Sequence, residues 1–144
     1  MQKTLTMTIE PRPKERPRAT VIGGHARIYT PKTTEDYEKK IRAAWTKANG
    51  SDPITGPVLV RIHVGMPIPK STPKGNKALM LNRQLRPVTK PDIDNLAKSI
   101  LDAINGIAYK DDNQIVDLLA RKYYAEVPFI RVMVEDWTPK EVGG

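Results

Sequence analysis

The sequence has no cysteine, two histidines, one phenylalanine and no apolar run longer than a few residues. Without cysteine there are no disulfides and no thiolate zinc sites, and a reducing compartment is fully compatible with the chain. His25 and His63 supply too little imidazole for histidine-dependent nuclease chemistry or a histidine-rich zinc site. The short apolar runs cannot span a bilayer. The opening MQKTLTMTIE alternates rather than forming the apolar block of a signal peptide. Together these absences lead us to expect a soluble cytoplasmic protein with no membrane partner.

Another absence is local. Between Asp52 and Asp92 there is no acidic residue, while Arg61, Lys70, Lys74, Lys77, Arg83, Arg86 and Lys90 all lie there. Six of the nine aspartates then fall between Asp92 and Asp117. The whole chain carries +8, an excess that attracts polyanions, of which nucleic acid is the commonest in a cell. Solubility alone would not require a basic segment running straight into an acidic cluster. Lys70, Lys74, Lys77, Arg83, Arg86 and Lys90 are therefore the candidate DNA contacts.

At 144 residues, with 39% hydrophobic and 28% charged side chains, the chain suits one domain, residues 1–144, with its own core. Residues 3–9 alternate with period two and predict a strand; residues 20–30 predict a hairpin about Gly23-Gly24. A helix is expected from Thr33 to Asn49, capped by threonine, with Tyr37, Ile41, Ala44, Trp45 and Ala48 on its apolar stripe. Residues 57–66 make the clearest strand. A long basic loop follows, with a short helix at KALMLNRQ. The stretch PDIDNLAKSILDAING reads as a second helix, and two strands, QIVDLLARKYYAE and PFIRVMVEDW, complete the chain. The expectation is an α+β domain: a mixed β-sheet with two main helices covering one face and the long basic loop before the second helix.

Asp92, Asp94 and Asn95 open that second helix. Lys98 lies one turn beyond Asp94, Asp102 one turn beyond Lys98, and Asp111-Asp112 occupies the turn past the helix end. Phosphodiester hydrolysis calls for a hard cation, and Mg²⁺ is commonly held by one or two carboxylates, with water and substrate phosphate completing its shell. Each aspartate alone has a plain structural role open to it. Asp92 can cap the helix, Asp94–Lys98–Asp102 can form a surface ladder, and Asp111-Asp112-Asn113 is ordinary turn chemistry. Their convergence is harder to explain that way, because clustered carboxylates repel one another unless a cation joins them.

The segment KPDIDNLAKSILDAINGIAYKDDNQI, Lys90 to Ile115, resembles the signature of the RusA family of Holliday-junction resolvases. The match is an Asp-x-Asp-Asn-Leu run, a lysine four residues after the second aspartate, a further aspartate, a small turn and Asp-Asp. PRPKERPRATVIGGHARIYTPKTTEDYEKKI is more weakly similar to the N-terminal half of phage-type members. The resemblance implies a Mg²⁺-dependent crossover junction endodeoxyribonuclease of DNA recombination and repair, for which Mn²⁺ could substitute. It implies a homodimer that nicks two symmetric strands of a four-way junction. Carried onto this chain, the metal-binding carboxylates would be Asp92, Asp94 and Asp112, with Lys98 the catalytic lysine. Asp111, Asp102 and Asn95 rank second, and orienting Lys98 is the expected task of Asp102. Two other readings stay open on the residues alone: a non-catalytic basic nucleic-acid-binding protein, and a nuclease of flaps or forks. The cleavage sequence, the phage or chromosomal origin, the dimer interface and any protein partner have no local code.

Overall fold

The computed structural model describes residues 1–139, and of Arg18 only the backbone, so the last five residues of the expected domain lie outside it. The alternating N-terminus forms β1 (Gln2–Thr8), and the hairpin forms β2 (Arg18–Ile22) and β3 (His25–Tyr29), a separate two-stranded ribbon turning at Gly23 and Gly24, both at positive φ. Helix α1 (Lys32–Asn49) follows, then β4 (Val58–Pro67), α2 (Lys74–Leu81) and α3 (Ile93–Ala103). A single 3-10 turn, Asp112–Gln114, leads into β5 (Ile115–Ala125), and β6 (Phe129–Asp136) ends the order. No helix among the described residues is long and apolar enough to cross a membrane.

The main sheet has the order β1-β6-β4-β5. β6 pairs antiparallel with β1 and β4, and β4 pairs parallel with β5. A parallel neighbour cannot be reached by a tight turn. The chain between β4 and β5 therefore makes the long crossover, and that crossover holds the basic loop, α2, α3 and every candidate aspartate. The sheet is mixed, as expected.

Period-two burial along the strands selects one face for the core. Val58, Val60, Ile62 and Val64 of β4 and Ile130, Val132 and Val134 of β6 are all at most 1% exposed. They share one cluster with Tyr37, Ile41 and Trp45 of α1 and Leu96, Ala97 and Ile100 of α3. Helices α1 and α3 thus cover one face, as their apolar stripes predict.

The start of α1 departs from expectation. Its N-cap is Pro31, no side chain caps it, and Thr34 is buried in the first turn instead. Proline suits a helix start because no intrahelical partner is waiting for its missing N–H. α2 likewise begins three residues earlier than its apolar run suggests, directly after Pro73.

Candidate active site

Residues 10–17, with three prolines, form no regular element, so their backbone groups must pair elsewhere. They do so on α3. The Lys14 N–H donates to the Asn95 carbonyl at 3.0 Å, and the Ser99 hydroxyl, fully buried, donates to the Arg12 carbonyl at 2.7 Å. This strap and the Lys90-Pro91 turn wall an open groove of 510 Å³, lined among others by Glu10, Arg12, Lys14, Lys90, Asp92 and Asn95. Lys122 of β5 fixes the turn, donating to the carbonyls of Thr89 at 2.9 Å and Pro91 at 2.8 Å.

Asp92 stands at the N-cap position of α3, but its side chain makes no capping hydrogen bond. The ordinary use of an aspartate there is thus not taken up, and the carboxylate is exposed beside the groove. Asp94, in the first turn, accepts from the adjoining Asn95 N–H, at 2.9 Å. Both acids sit at the positive end of the helix dipole.

Further along α3, Lys98 Nζ lies 3.7 Å from Asp102 Oδ2, and the same oxygen lies 3.0 Å from Lys14 Nζ. Lys14 also pairs with Glu38 of α1. Burial lowers the tendency of Lys14 to stay charged, but Glu38 and Asp102 more than offset it and hold the ammonium above the usual lysine range. Asp102 is thus clamped between two cations, one from the strap and one from its own helix.

The aspartate pair past the helix divides its labour. Asp111 caps the 3-10 turn: its carboxylate accepts from Asn113 N–H at 3.4 Å, while Gln114 Oε1 accepts from the backbone of Lys110 and Asp111 at 2.7 and 3.0 Å. Asp112 is exposed and has no such duty. Its pKa is raised by a shared hydrogen bond with Asp111, by some burial, and by the charges of Asp111 and Asp102, with Lys98 opposing. Tyr109 is fully buried beneath this acid group and donates to the Leu101 carbonyl at 2.7 Å. Burial, then the carboxylates of Asp112, Asp102 and Asp111, push its phenol well above the usual range.

The predicted residues therefore stand in two groups. Asp92, Asp94 and Asn95 are at the start of α3; Asp102, Asp111 and Asp112 gather beyond Lys98. Among the described residues no three acidic or imidazole groups converge in ion-holding geometry. Asp112 is charge-coupled to Asp111, Asp102 and Lys98 rather than to Asp92 or Asp94. Asp102, two turns from Asp94, sits inside the second group, in contact with Lys98. The donors are nevertheless all carboxylate oxygens, the hard set Mg²⁺ takes, and one or two per ion suffice. Lys14 and Arg12 were missed from sequence because an irregular Pro-rich strap has no periodicity to show where it docks. The one available signal was its density of basic residues ahead of the acidic helix.

Of the expected DNA contacts, two are folded onto the sheet and one is paired. The guanidinium carbons of Arg83 and Arg86 lie 4.3 and 4.1 Å from the centroid of the Tyr123 ring, and Lys77 Nζ lies 3.2 Å from Glu126. Lys74 and Lys90 are exposed, as is Lys70.

A model of the family described as Endodeoxyribonuclease RusA matches residues 8–135, a span that takes in both aspartate groups, Lys98, the strap and the basic loop. An uncharacterized protein of Bacillus subtilis (strain 168), YqaN, is 35% identical over 129 residues, covering 88% of this chain and 91% of that protein. The chain belongs to the RusA family of endodeoxyribonucleases.

Proposed function

We propose that this protein is a Mg²⁺-dependent resolvase of four-way DNA junctions, acting as a homodimer in recombination and repair, with one catalytic aspartate constellation per subunit. The observation that carries the reading is the crowding of carboxylates to either side of Lys98, with Asp92 left out of its capping bond and Asp112 raised by its acidic neighbours.

Asp92, Asp94 and Asp112 are the residues that would hold the cation. Bound there, Mg²⁺ supplies positive charge that polarises the scissile phosphate and eases deprotonation of the attacking water. The protein's own groups do the rest. Lys98 presents an ammonium to the phosphate or the leaving oxygen, where charge grows as the bond breaks. Asp102 restricts where that ammonium can point, and Lys14 holds Asp102 against α1. Asp111 and Gln114 fix the turn that presents Asp112. Lys70, Lys74 and Lys90 offer exposed cations to backbone phosphates flanking the cut.

The test is cleavage of a synthetic mobile four-way junction beside a linear duplex of the same sequence, with and without Mg²⁺. The reading requires paired nicks in the junction, in Mg²⁺ only, with the duplex spared. Equal cutting of both substrates, or of flaps and forks in preference, would refute the junction assignment.

A further inference from the structure

The β2–β3 ribbon stands apart from the core. Among the described residues it pairs with no strand of the main sheet, and every residue of β3 is exposed. The register sets Val21 opposite Ala26 and Ala19 opposite Ile28 on one face. Thr20 opposite Arg27 and Ile22 opposite His25 share the other face with Tyr29. The first face is wholly apolar yet open to solvent, with Val21 72% and Ile28 74% exposed. From Arg16 to Thr34 the sequence has no acidic residue, while Arg16, Arg18, Arg27 and Lys32 are basic.

The two ends of the ribbon differ. At the tip, Gly23 and Gly24 carry no side chain, and a Cβ added at either would meet nothing within 4 Å, so the end is only a backbone thick. At the root both strands are fixed. β2 follows directly from the strap that walls the groove beside Asp92, and β3 leads through Pro31 into α1. The Thr33 hydroxyl donates to the Glu15 carboxylate at 3.3 Å, tying the first turn of α1 back to the strap. From that root a five-residue strand reaches about 17 Å. An isolated two-stranded hairpin is marginal in water, and leaving its apolar face wet costs more.

We propose that the ribbon is a branch-point probe: its tip and apolar face enter the open centre of a DNA junction and pack on base-pair faces exposed there, while Arg27 and the basic root hold the surrounding phosphates. The charge selects the partner. Four cations with no acid among them suit a polyanion, and a polyanion that also offers flat apolar faces is a nucleic acid. Inside a linear duplex each base pair is stacked on both sides, whereas pairs bordering a branch have a face free to receive Val21 and Ile28. Apolar side chains wedge against base steps in this manner, and a two-stranded ribbon is slim enough for the space between DNA backbones. The location agrees, because the strap that carries the ribbon also lines the groove of Asp92. The inference rests on the reading of the chain as a junction enzyme and adds to it the element that tells a branch from a linear duplex.

Binding of the full chain to a synthetic four-way junction and to a linear duplex of the same sequence tests it, with 2-aminopurine placed beside the branch point. Val21→Ser combined with Ile28→Ser keeps the charge and should weaken junction binding by about tenfold while changing duplex binding by less than about twofold. Wild type should raise the 2-aminopurine fluorescence as the reporter base unstacks, and the double serine variant should not. Val21→Leu combined with Ile28→Leu, still apolar, should behave as wild type in both measurements. Arg27→Ala should weaken both DNAs and make the salt slope shallower by about 0.9. Because the altered side chains are exposed, thermal melts should match wild type. Unchanged junction affinity and fluorescence in the serine variant would overturn the proposal while wild-type cleavage of junctions left the proposed function intact. A serine variant altered only in its sedimenting mass would also overturn it, making the ribbon a protein contact. Loss of branch binding in that variant, with a wild type that cuts no junction, would sink the proposed function and leave the probe standing.

Discussion

Asp102 Oδ2 lies within 3.0 Å of Lys14 Nζ and 3.7 Å of Lys98 Nζ, joining a lysine of the Pro-rich strap to a lysine of helix α3 through one carboxylate. The bridge makes Lys98 dependent on a segment some eighty residues away. Lys98→Ala should lower the single-turnover cleavage rate by about 10²-fold or more, with a much smaller change in junction affinity. Asp102→Asn should lower the rate by about tenfold and also lower Tm, because Lys14 loses a half-buried partner. Rate constants on bound substrate, set beside thermal melts, separate the two. A Lys98→Ala protein that binds weakly but cuts bound junctions at the wild-type rate would make Lys98 a backbone contact.

Salt dependence should sort the basic residues. Removing one cation that neutralises a DNA phosphate makes the slope of log affinity against log salt shallower by about 0.9. Lys74→Ala and Lys90→Ala should each give close to that change. Lys77→Ala should give less, since Lys77 already has Glu126 at 3.2 Å. Arg83→Ala should act through the stacking it makes on Tyr123. Binding titrations over a range of salt read the slopes directly, and slopes unchanged from wild type in all four variants would show that this loop faces away from DNA.

Asp112 ties stability to pH and to divalent ions. Its folded pKa lies above the ordinary 3.8 because Asp111 and Asp102 disfavour its ionised form. A carboxyl with a raised folded pKa favours folding while protonated, and that contribution is lost as pH rises through the raised value. At neutral pH the ionised Asp112 therefore costs stability. Asp112→Asn should raise Tm by about 1 °C at pH 7, and the gain should vanish as pH falls below the ordinary aspartate value. Mg²⁺ should raise the wild-type Tm at pH 7 and raise that of Asp112→Asn less. A variant with lower Tm at pH 7, or the same response to Mg²⁺ as wild type, would contradict this description of the acid group.

The fold was legible wherever side chains repeat with a period. Residues 57–66 were readable as a strand and form β4, Val58–Pro67; the apolar spacing of Leu96, Ile100 and Ile104 placed α3 and its buried side. Asp94, Lys98 and Asp102 could be placed along one flank because their four-residue spacing on one helix fixes it. Strand order was not, since nothing local in β6 records that it inserts between β1 and β4. The strap was illegible for a related reason: Ser99 and Lys14 reveal their partners only once Arg12 and Asn95 are brought to them. The division of the aspartates into two groups about Lys98 depends on where the turn before β5 comes to rest, which spacing along the chain does not specify.

Single-turnover cleavage of a synthetic four-way junction by Asp92→Asn, Asp94→Asn and Asp112→Asn, in Mg²⁺ and in chelator, tests the central claim most directly. The wild type should cut in Mg²⁺ alone. Each variant should lose at least about 10³-fold in rate while binding the junction as tightly as wild type or tighter, because removing a carboxylate also removes repulsion toward phosphate. Near wild-type cleavage by all three variants, or undiminished cleavage in chelator, would show that these aspartates are not the catalytic metal site.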